Sequence, residues 1–121
     1  MLHLPTLWLF VLLVAIHWVA DFVCQTHWQA QNKSKNNVAL SLHVASYTGI
    51  LAAASLVLFG TLGLTFAAVN GVLHWITDYF TSRWTSKLYA KQDWHNFFVV
   101  VGLDQLIHYA TLAATVTWLA T

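Results

Sequence analysis

Four apolar stretches, each of about 20 residues, make up most of this 121-residue chain. They cover residues 4–24, 38–59, 62–81 and 97–120. An α-helix of about 20 residues crosses the ~30 Å hydrocarbon core of a bilayer. Charged residues are only 7% of the chain, whereas a soluble domain carries about 25%. The sequence therefore predicts an all-α, polytopic membrane protein, with residues 1–121 forming one domain, a bundle of four transmembrane helices.

The basic residues indicate how these helices are oriented. All five lie in the two longer connections, 25–37 and 82–96, whereas a tight turn around Gly60 joins the second and third stretches. The five are Lys33, Lys35, Arg83, Lys87 and Lys91. Because cytoplasmic loops are enriched in Lys and Arg, we expect both connections to be cytoplasmic and both termini to lie on the opposite side of an inner membrane. The net charge of +1 gives no reason to expect a nucleic-acid partner.

Ionisable residues inside the apolar stretches are the main functional signal. Four histidines and three aspartates lie there. They are His17, Asp21, His43, His74, Asp78, Asp104 and His108. A charged side chain near the centre of a transmembrane helix costs about 2.5–3.5 kcal/mol on insertion scales. Three such carboxylates therefore need partners or a function.

The spacing of these residues predicts that they meet. Six of them form three pairs of a histidine and an aspartate four positions apart, which stacks each pair on one helical face. The pairs are His17 and Asp21, His74 and Asp78, and Asp104 and His108. At a rise of 1.5 Å per residue, most of the set lies about 7–14 Å below the cytoplasmic surface, with His108 deepest at about 18 Å. Four helices thus supply polar groups to nearly one layer.

Imidazole and carboxylate groups gathered in one layer are typical of a metal site, and all seven residues are predicted ligands. The expected ion is a divalent transition metal, zinc first, with iron or manganese as alternatives. Seven ligands exceed the four of a tetrahedral ion, so one or two ions are expected, two being held about 3.5–4 Å apart by a bridging aspartate. Gln25, Asn70 and Gln105 are predicted to support the ligands. The alternative is a hydrogen-bonded layer that only locks the bundle.

The same residues carry a family resemblance. In chain order they are His17-Trp-Val-Ala-Asp21-Phe22 followed by Gln25, then His43, then His74 and Asp78, then Asp104-Gln105 and His108. This series resembles a family of small bacterial and phage membrane proteins known as a domain of unknown function, with Cys24 where that family is expected to have Leu. The resemblance implies four membrane helices and important roles for these positions, but no activity. The pattern is more loosely similar to that of membrane-bound metal-dependent hydrolases.

Four functions remain open from the sequence. The leading hypothesis is a membrane-embedded, metal-dependent hydrolase acting on an anionic lipid or a phosphate ester from the cytoplasmic side. A transporter of metal ions or protons needs polar groups across the whole membrane. The outer halves of the four stretches carry no charge, which disfavours a path through one chain. A homo-oligomer could still form a path between chains. A haem-binding electron carrier needs two histidines but not three carboxylates. The last is a non-enzymatic accessory protein.

Overall fold

The structure, a computed structural model, describes residues 6–121, so the first two residues of the predicted 4–24 stretch lie outside it. The described part of the chain is helical apart from short turns. Its elements are α1 (Thr6–Trp18), which continues into a π-helical turn (Val19–Val23), then α2 (His27–Asn32), α3 (Asn37–Phe59), α4 (Leu62–Ala90) and α5 (Trp94–Ala120). The predicted all-α class is therefore confirmed.

Three of these segments are long and apolar enough to cross a membrane: Thr6–Val23, Asn37–Phe59 and Trp94–Ala120. The remaining long helix, α4, is less apolar because it contains Asp78 and continues past the predicted end at Thr81 through Arg83 and Lys87. Residues 82–90 are thus helix rather than a connection. The apolar pattern ends before Ser82, but the helix continues to Ala90.

Local signals explain where the helices begin and end. The Asn36 side chain accepts a hydrogen bond from the backbone N–H of Val38 at 2.8 Å and so caps α3. Thr26 and Gln29 form a capping box that starts the short α2 inside the first connection. Gly60 ends α3 at a φ of 66°, a left-handed conformation that costs glycine little. The chain therefore turns directly from α3 into α4.

The four long helices pack as a bundle in which α4 lies between α3 and α5, while α1 closes the bundle against α3 and α5. Large apolar side chains such as Leu7 and Val57 face outward, at 70% and 71% exposure. Histidines and aspartates lie inside. A water-soluble protein has the opposite arrangement, so this polar interior and apolar exterior support a membrane environment.

The interior divides into two halves along the bundle axis. We call the end that carries the long α1–α3 connection and the α4–α5 turn the basic end, because all five Lys and Arg side chains lie near it. Toward the opposite, apolar end, the core is filled by Leu13, Leu51, Phe66 and Leu112, all 0% exposed. The buried histidines and aspartates lie in the half nearer the basic end.

Candidate metal centre

Two histidines and two aspartates bring four ligand atoms to one point. His43 Nε2 lies 3.3 Å from His74 Nε2. Asp21 Oδ1 lies 3.0 Å from His43 Nε2 and 3.3 Å from His74 Nε2. Asp78 Oδ2 lies 3.4 Å and 3.2 Å from the same two nitrogens. All four residues are buried, at 0–3% exposure. We call these four atoms the first ligand set.

Hydrogen bonding cannot satisfy all the contacts of this set. An imidazole Nε2 carries at most one hydrogen, but His43 Nε2 has three polar neighbours within 3.4 Å. The Nδ1 atoms of His43 and His74 have no hydrogen-bond partner among residues 6–121. Both rings therefore direct their polar interactions through Nε2, the atom that faces the other ring. A cation at the common point would be contacted by all four atoms at once.

A second set of potential ligands lies beside the first and shares a residue with it. Asp21, Asp104 and His108 offer atoms close enough to hold an ion. His108 Nε2 lies 3.3 Å from Asp104 Oδ2 and 3.1 Å from Asp78 Oδ1. Asp78 therefore has Oδ2 at the first set and Oδ1 beside His108 of the second set. Asp21 directs Oδ1 to the first set, and its Oδ2 lies on the side of the carboxylate away from that set. Carboxylates with this arrangement can bridge two metal ions.

His17 has different partners from the other three buried histidines. Its Nδ1 lies 2.8 Å from the Tyr47 hydroxyl, and its Nε2 lies 3.0 Å from Gln105 Oε1 and 3.4 Å from Asp21 Oδ2. His17 belongs to neither ligand set, so its predicted role as a ligand stays a prediction. In this structure it holds Asp21 and Gln105 in place.

Ring stacking fixes the planes of the histidines in the centre. The Tyr47 ring stacks on His74 with centroids 4.0 Å apart, and His74 stacks on His108, also at 4.0 Å and with an interplanar angle of 12°. Asp21 lies within the π-helical turn that follows α1, a feature that occurs frequently at functional sites. These contacts hold ring nitrogens and the Asp21 carboxylate in fixed positions.

The three polar residues predicted to support the ligands have different positions. Gln105 Nε2 donates to Asp21 Oδ2 at 3.2 Å and to Asp104 Oδ2 at 3.0 Å. Gln25 lies beside the centre, where its Oε1 is buried without a hydrogen-bond partner among the described residues. Asn70 is buried but bonds to the Phe66 carbonyl of its own helix. Of the three, Gln105 is the one that bonds directly to predicted ligands.

Lys33 is a member of the site that the sequence did not predict. Its Nζ donates to Asp78 Oδ2 at 3.2 Å, and its side chain is only 19% exposed. Burial lowers the pKa of Lys33, but the carboxylates of Asp78 and Asp21 more than offset this effect, so its pKa is raised above the ordinary value. In the sequence, Lys33 is one of five loop cations that indicate orientation but no contact with the centre. The Thr26–Gln29 capping box was the available signal, because it starts the helix α2 that directly precedes Lys33.

A partly open cavity of about 170 Å³ adjoins the centre on the side of α1, α4 and α5. Three acidic ligands reach its wall: Asp21, Asp78 and Asp104. The rest of the wall is formed by Phe22, Gln25, Lys33, Thr81, Ser82, Thr85, Val101 and Gln105. On the same measure a single water needs about 10–15 Å³. The cavity therefore has room for a group of several heavy atoms next to the ligand sets.

The chain matches the model of a protein family, described as a protein of unknown function (DUF3307), over residues 9–121. This range contains all seven predicted ligands and the four long helices apart from the first three residues of α1. The resemblance to an uncharacterised domain family is thereby confirmed. No match was found among curated proteins or among solved structures.

Proposed function

The chain belongs to the DUF3307 family of unknown function, and we propose that it is a membrane-embedded, metal-dependent hydrolase. Its His/Asp centre holds one or two divalent transition-metal ions, zinc being the first choice and iron or manganese the alternatives. The protein lies in a bacterial inner membrane, with the centre in the cytoplasmic leaflet. Its substrate is an ester that reaches the cavity from that side.

The observation that carries this proposal is the spacing within the first ligand set. Tetrahedral zinc with bonds of about 2.0–2.1 Å requires ligand atoms about 3.3–3.4 Å apart. Five of the six separations among the atoms of Asp21, His43, His74 and Asp78 are 3.0, 3.2, 3.3, 3.3 and 3.4 Å. The set thus has nearly the dimensions of a zinc site.

The charge balance also favours a cation. Asp21, Asp78 and Asp104 bring three carboxylates together. Within residues 6–121, Lys33 is the one permanently charged cation that lies within 4 Å of any of these carboxylates. Without a metal ion, two additional protons, on the histidines or on the carboxylates themselves, would have to balance the remaining charge. His74 and His108 stack face to face at 4.0 Å, and two positive rings in that position would repel each other. A metal ion supplies the charge while the rings stay neutral.

We place α4 across the membrane as the fourth span, because it is central in the bundle and packs along both α3 and α5. At 1.5 Å per residue its 29 residues extend about 43 Å, enough to cross the bilayer and continue beyond it. The basic end then faces the cytoplasm, in keeping with its Lys and Arg content. Both termini lie on the opposite side.

Hydrolysis adds water across the ester bond. A bound divalent metal ion lowers the pKa of water and polarises the ester group. The oxygen of the water forms a bond to the phosphorus or acyl carbon, and the bond to the alcohol oxygen breaks. When one ion is held by the first ligand set, Asp104 is not a ligand, and we assign it to take the proton of the water and return it to the departing oxygen, because it reaches the cavity wall and its side chain is 15% exposed. Gln105 and Thr81 donate to this carboxylate and orient it.

Transport is less well supported than hydrolysis. A path for ions or protons needs polar groups beyond the centre. In the described part of the chain, the core toward the apolar end has no charged residue: it is formed mainly by Leu13, Leu51, Phe66 and Leu112, and its polar members are the uncharged Ser55 and Thr115. A one-sided centre with an adjoining cavity fits an enzyme that receives its substrate from one face.

The test is an activity assay on purified protein reconstituted with zinc. Hydrolysis of p-nitrophenyl phosphate, bis-p-nitrophenyl phosphate and p-nitrophenyl acetate is measured for the parent and for His74→Ala and Asp78→Asn. We expect turnover of at least one ester by the parent and loss of about 100-fold or more in both variants. His95→Ala, which changes an exposed histidine, is the matched control. Zinc-loaded protein that hydrolyses none of these esters would favour the accessory-protein alternative.

A further inference from the structure

The cavity beside the ligand sets has two chemically different walls. Phe22 and Val101 contribute apolar surface from the π-helical turn and from α5, and Phe22 is 46% exposed, which places it at the rim. Gln25, Lys33 and Ser82 contribute polar groups from α4 and from the connection at the basic end. The polar groups include the Lys33 ammonium, which donates to Asp78, another residue of the cavity wall.

Two buried polar atoms on this wall have no hydrogen-bond partner within the described part of the chain. They are Ser82 Oγ, in a residue that is 8% exposed, and Gln25 Oε1. A buried polar group without a partner costs about 1–3 kcal/mol, so such groups are normally satisfied by water or by a ligand. The Ser82 hydroxyl can donate a hydrogen bond to an oxygen of a ligand, whereas Gln25 Oε1 can only accept one, for example from water. Ser82 and Lys33 are therefore two donors that line the same cavity.

The acids on the cavity wall would repel an anion unless a cation neutralises them. Metal ions at the ligand sets, as in the function proposed above, supply that charge. Asp78 Oδ2 belongs to the first ligand set and is also the acceptor for Lys33 Nζ. A metal ion bound to this oxygen would compete with the ammonium, and Lys33 could then turn toward the cavity.

We propose that this cavity is a subsite for a phosphate group, held by hydrogen bonds from Lys33 and Ser82 beside the metal centre. This inference rests on the proposed function, and it narrows the substrate class to phosphate esters. The oxygens of a tetrahedral phosphate point in different directions, so each can accept a hydrogen bond from a different donor, and a lysine binds phosphate as a point charge. The phosphate could belong to a lipid headgroup, whose acyl chain would lie along Phe22 and Val101, or to a soluble ester.

The test measures phosphate binding separately from metal binding. Zinc content is first determined for the parent, Lys33→Met, Lys33→Arg and Ser82→Ala in detergent. Binding of inorganic phosphate to the zinc-loaded proteins is then measured by calorimetry. We expect zinc content to be retained in all four proteins, and phosphate affinity to fall about tenfold or more in Lys33→Met. Lys33→Arg should retain most of the affinity because it keeps the charge, and Ser82→Ala should show a smaller loss.

Lys35→Met is the matched control, because Lys35 is an exposed lysine two positions away whose loss changes the net charge equally. Equal losses of phosphate affinity in Lys33→Met and Lys35→Met would overturn the subsite, as would zinc-loaded protein that binds no phosphate. Protein that binds no zinc would instead overturn the proposed function. Ser82→Ala gives an independent result if Lys33→Met does not fold, and its unchanged phosphate affinity would then contradict the subsite.

A second measurement identifies the source of the phosphate. Zinc-loaded protein is mixed with phosphatidic acid or glycerol 3-phosphate, and each competes against inorganic phosphate. Tighter binding of phosphatidic acid, reduced by Phe22→Ser, would support a lipid headgroup. Equal competition by both compounds would support a soluble phosphate ester. Failure of both to compete would contradict the subsite.

Discussion

His43 and His74 point their Nε2 atoms at each other across 3.3 Å, from neighbouring helices, with one oxygen of Asp21 and one of Asp78 beside the same gap. Two imidazoles in this position can share one hydrogen at most, because a hydrogen on each nitrogen would bring two donors together. Both can bind the same metal ion without that conflict. The orientation of this pair is therefore the structural basis of the predictions on metal content and stability.

The first prediction concerns metal stoichiometry. Purified protein is expected to carry one or two transition-metal ions per chain, measured by elemental analysis. His74→Ala and Asp78→Asn should each lower this number, because each removes an atom of the first ligand set. His95→Ala should leave it unchanged, since His95 is exposed on α5. A parent protein free of metal would leave the polar layer as a structural hydrogen-bond network.

Metal removal is expected to destabilise the bundle. A bound ion stabilises the folded state by mass action, and here it also separates carboxylates that would otherwise repel. Chelator treatment should lower the melting temperature of the parent in detergent by about 5 °C or more. Asp78→Asn, which has already lost a ligand, should respond less. An equal response of both proteins would show that the chelator acts elsewhere.

Helical spacing predicted that six of the buried histidines and aspartates share helix faces in pairs, whereas it did not predict the position of Lys33. His74 and Asp78 lie four residues apart on one straight helix, so their common face could be read directly from the sequence. The position of Lys33 depends on the path of the connection between α1 and α3. That path includes the π-helical turn and α2. No periodic pattern of residues in the sequence predicts how such a connection runs in three dimensions.

The end of α4 was misjudged for a related reason. Apolar character marks where a helix leaves the hydrocarbon region, but it does not mark where the helix ends. Arg83 continues the helix by stacking its guanidinium over the Tyr79 ring and donating to Asn37 at the start of α3. The helix ends at Ala90, and Gln92 just beyond it has a φ of 57°. The contact of Arg83 with α3 depends on how the two helices pack, so it cannot be read from one segment.

Close packing between α3 and α4 gives a further prediction. A Cβ atom at Gly63 would overlap the Ser55 carbonyl and lie 2.7 Å from the Leu56 backbone nitrogen. Neither backbone group can move without shifting α3, so Gly63→Ala should lower the free energy of unfolding by about 1–3 kcal/mol. Gly49→Ala is the control, because a Cβ there meets nothing within 4 Å. Thermal unfolding in detergent measures both, and equal melting temperatures would contradict this packing.

The Tyr47 hydroxyl is expected to contribute to the stability of the centre. Tyr47→Phe keeps the ring that stacks on His74 but removes the partner of His17 Nδ1. A buried ring nitrogen left without a partner costs about 1–3 kcal/mol, so the melting temperature should fall. Metal content should stay near the parent value, because Tyr47 belongs to neither ligand set. Loss of metal in this variant would indicate that His17 is a ligand whose orientation depends on Tyr47.

The last prediction concerns orientation in the membrane. Single cysteines are introduced at Ser34, Ser86 and Thr121 in a Cys24→Ala background, because the native Cys24 is exposed and would itself react. Ser34 and Ser86 lie near the basic end, which positive charge should keep in the cytoplasm, whereas Thr121 follows the far end of α5. An impermeant thiol reagent added to intact cells should therefore label position 121 and spare 34 and 86. After permeabilisation all three should react, which controls for burial. Labelling of 34 and 86 in intact cells would reverse the orientation, and labelling of only one of them would mean that α4 does not cross the membrane.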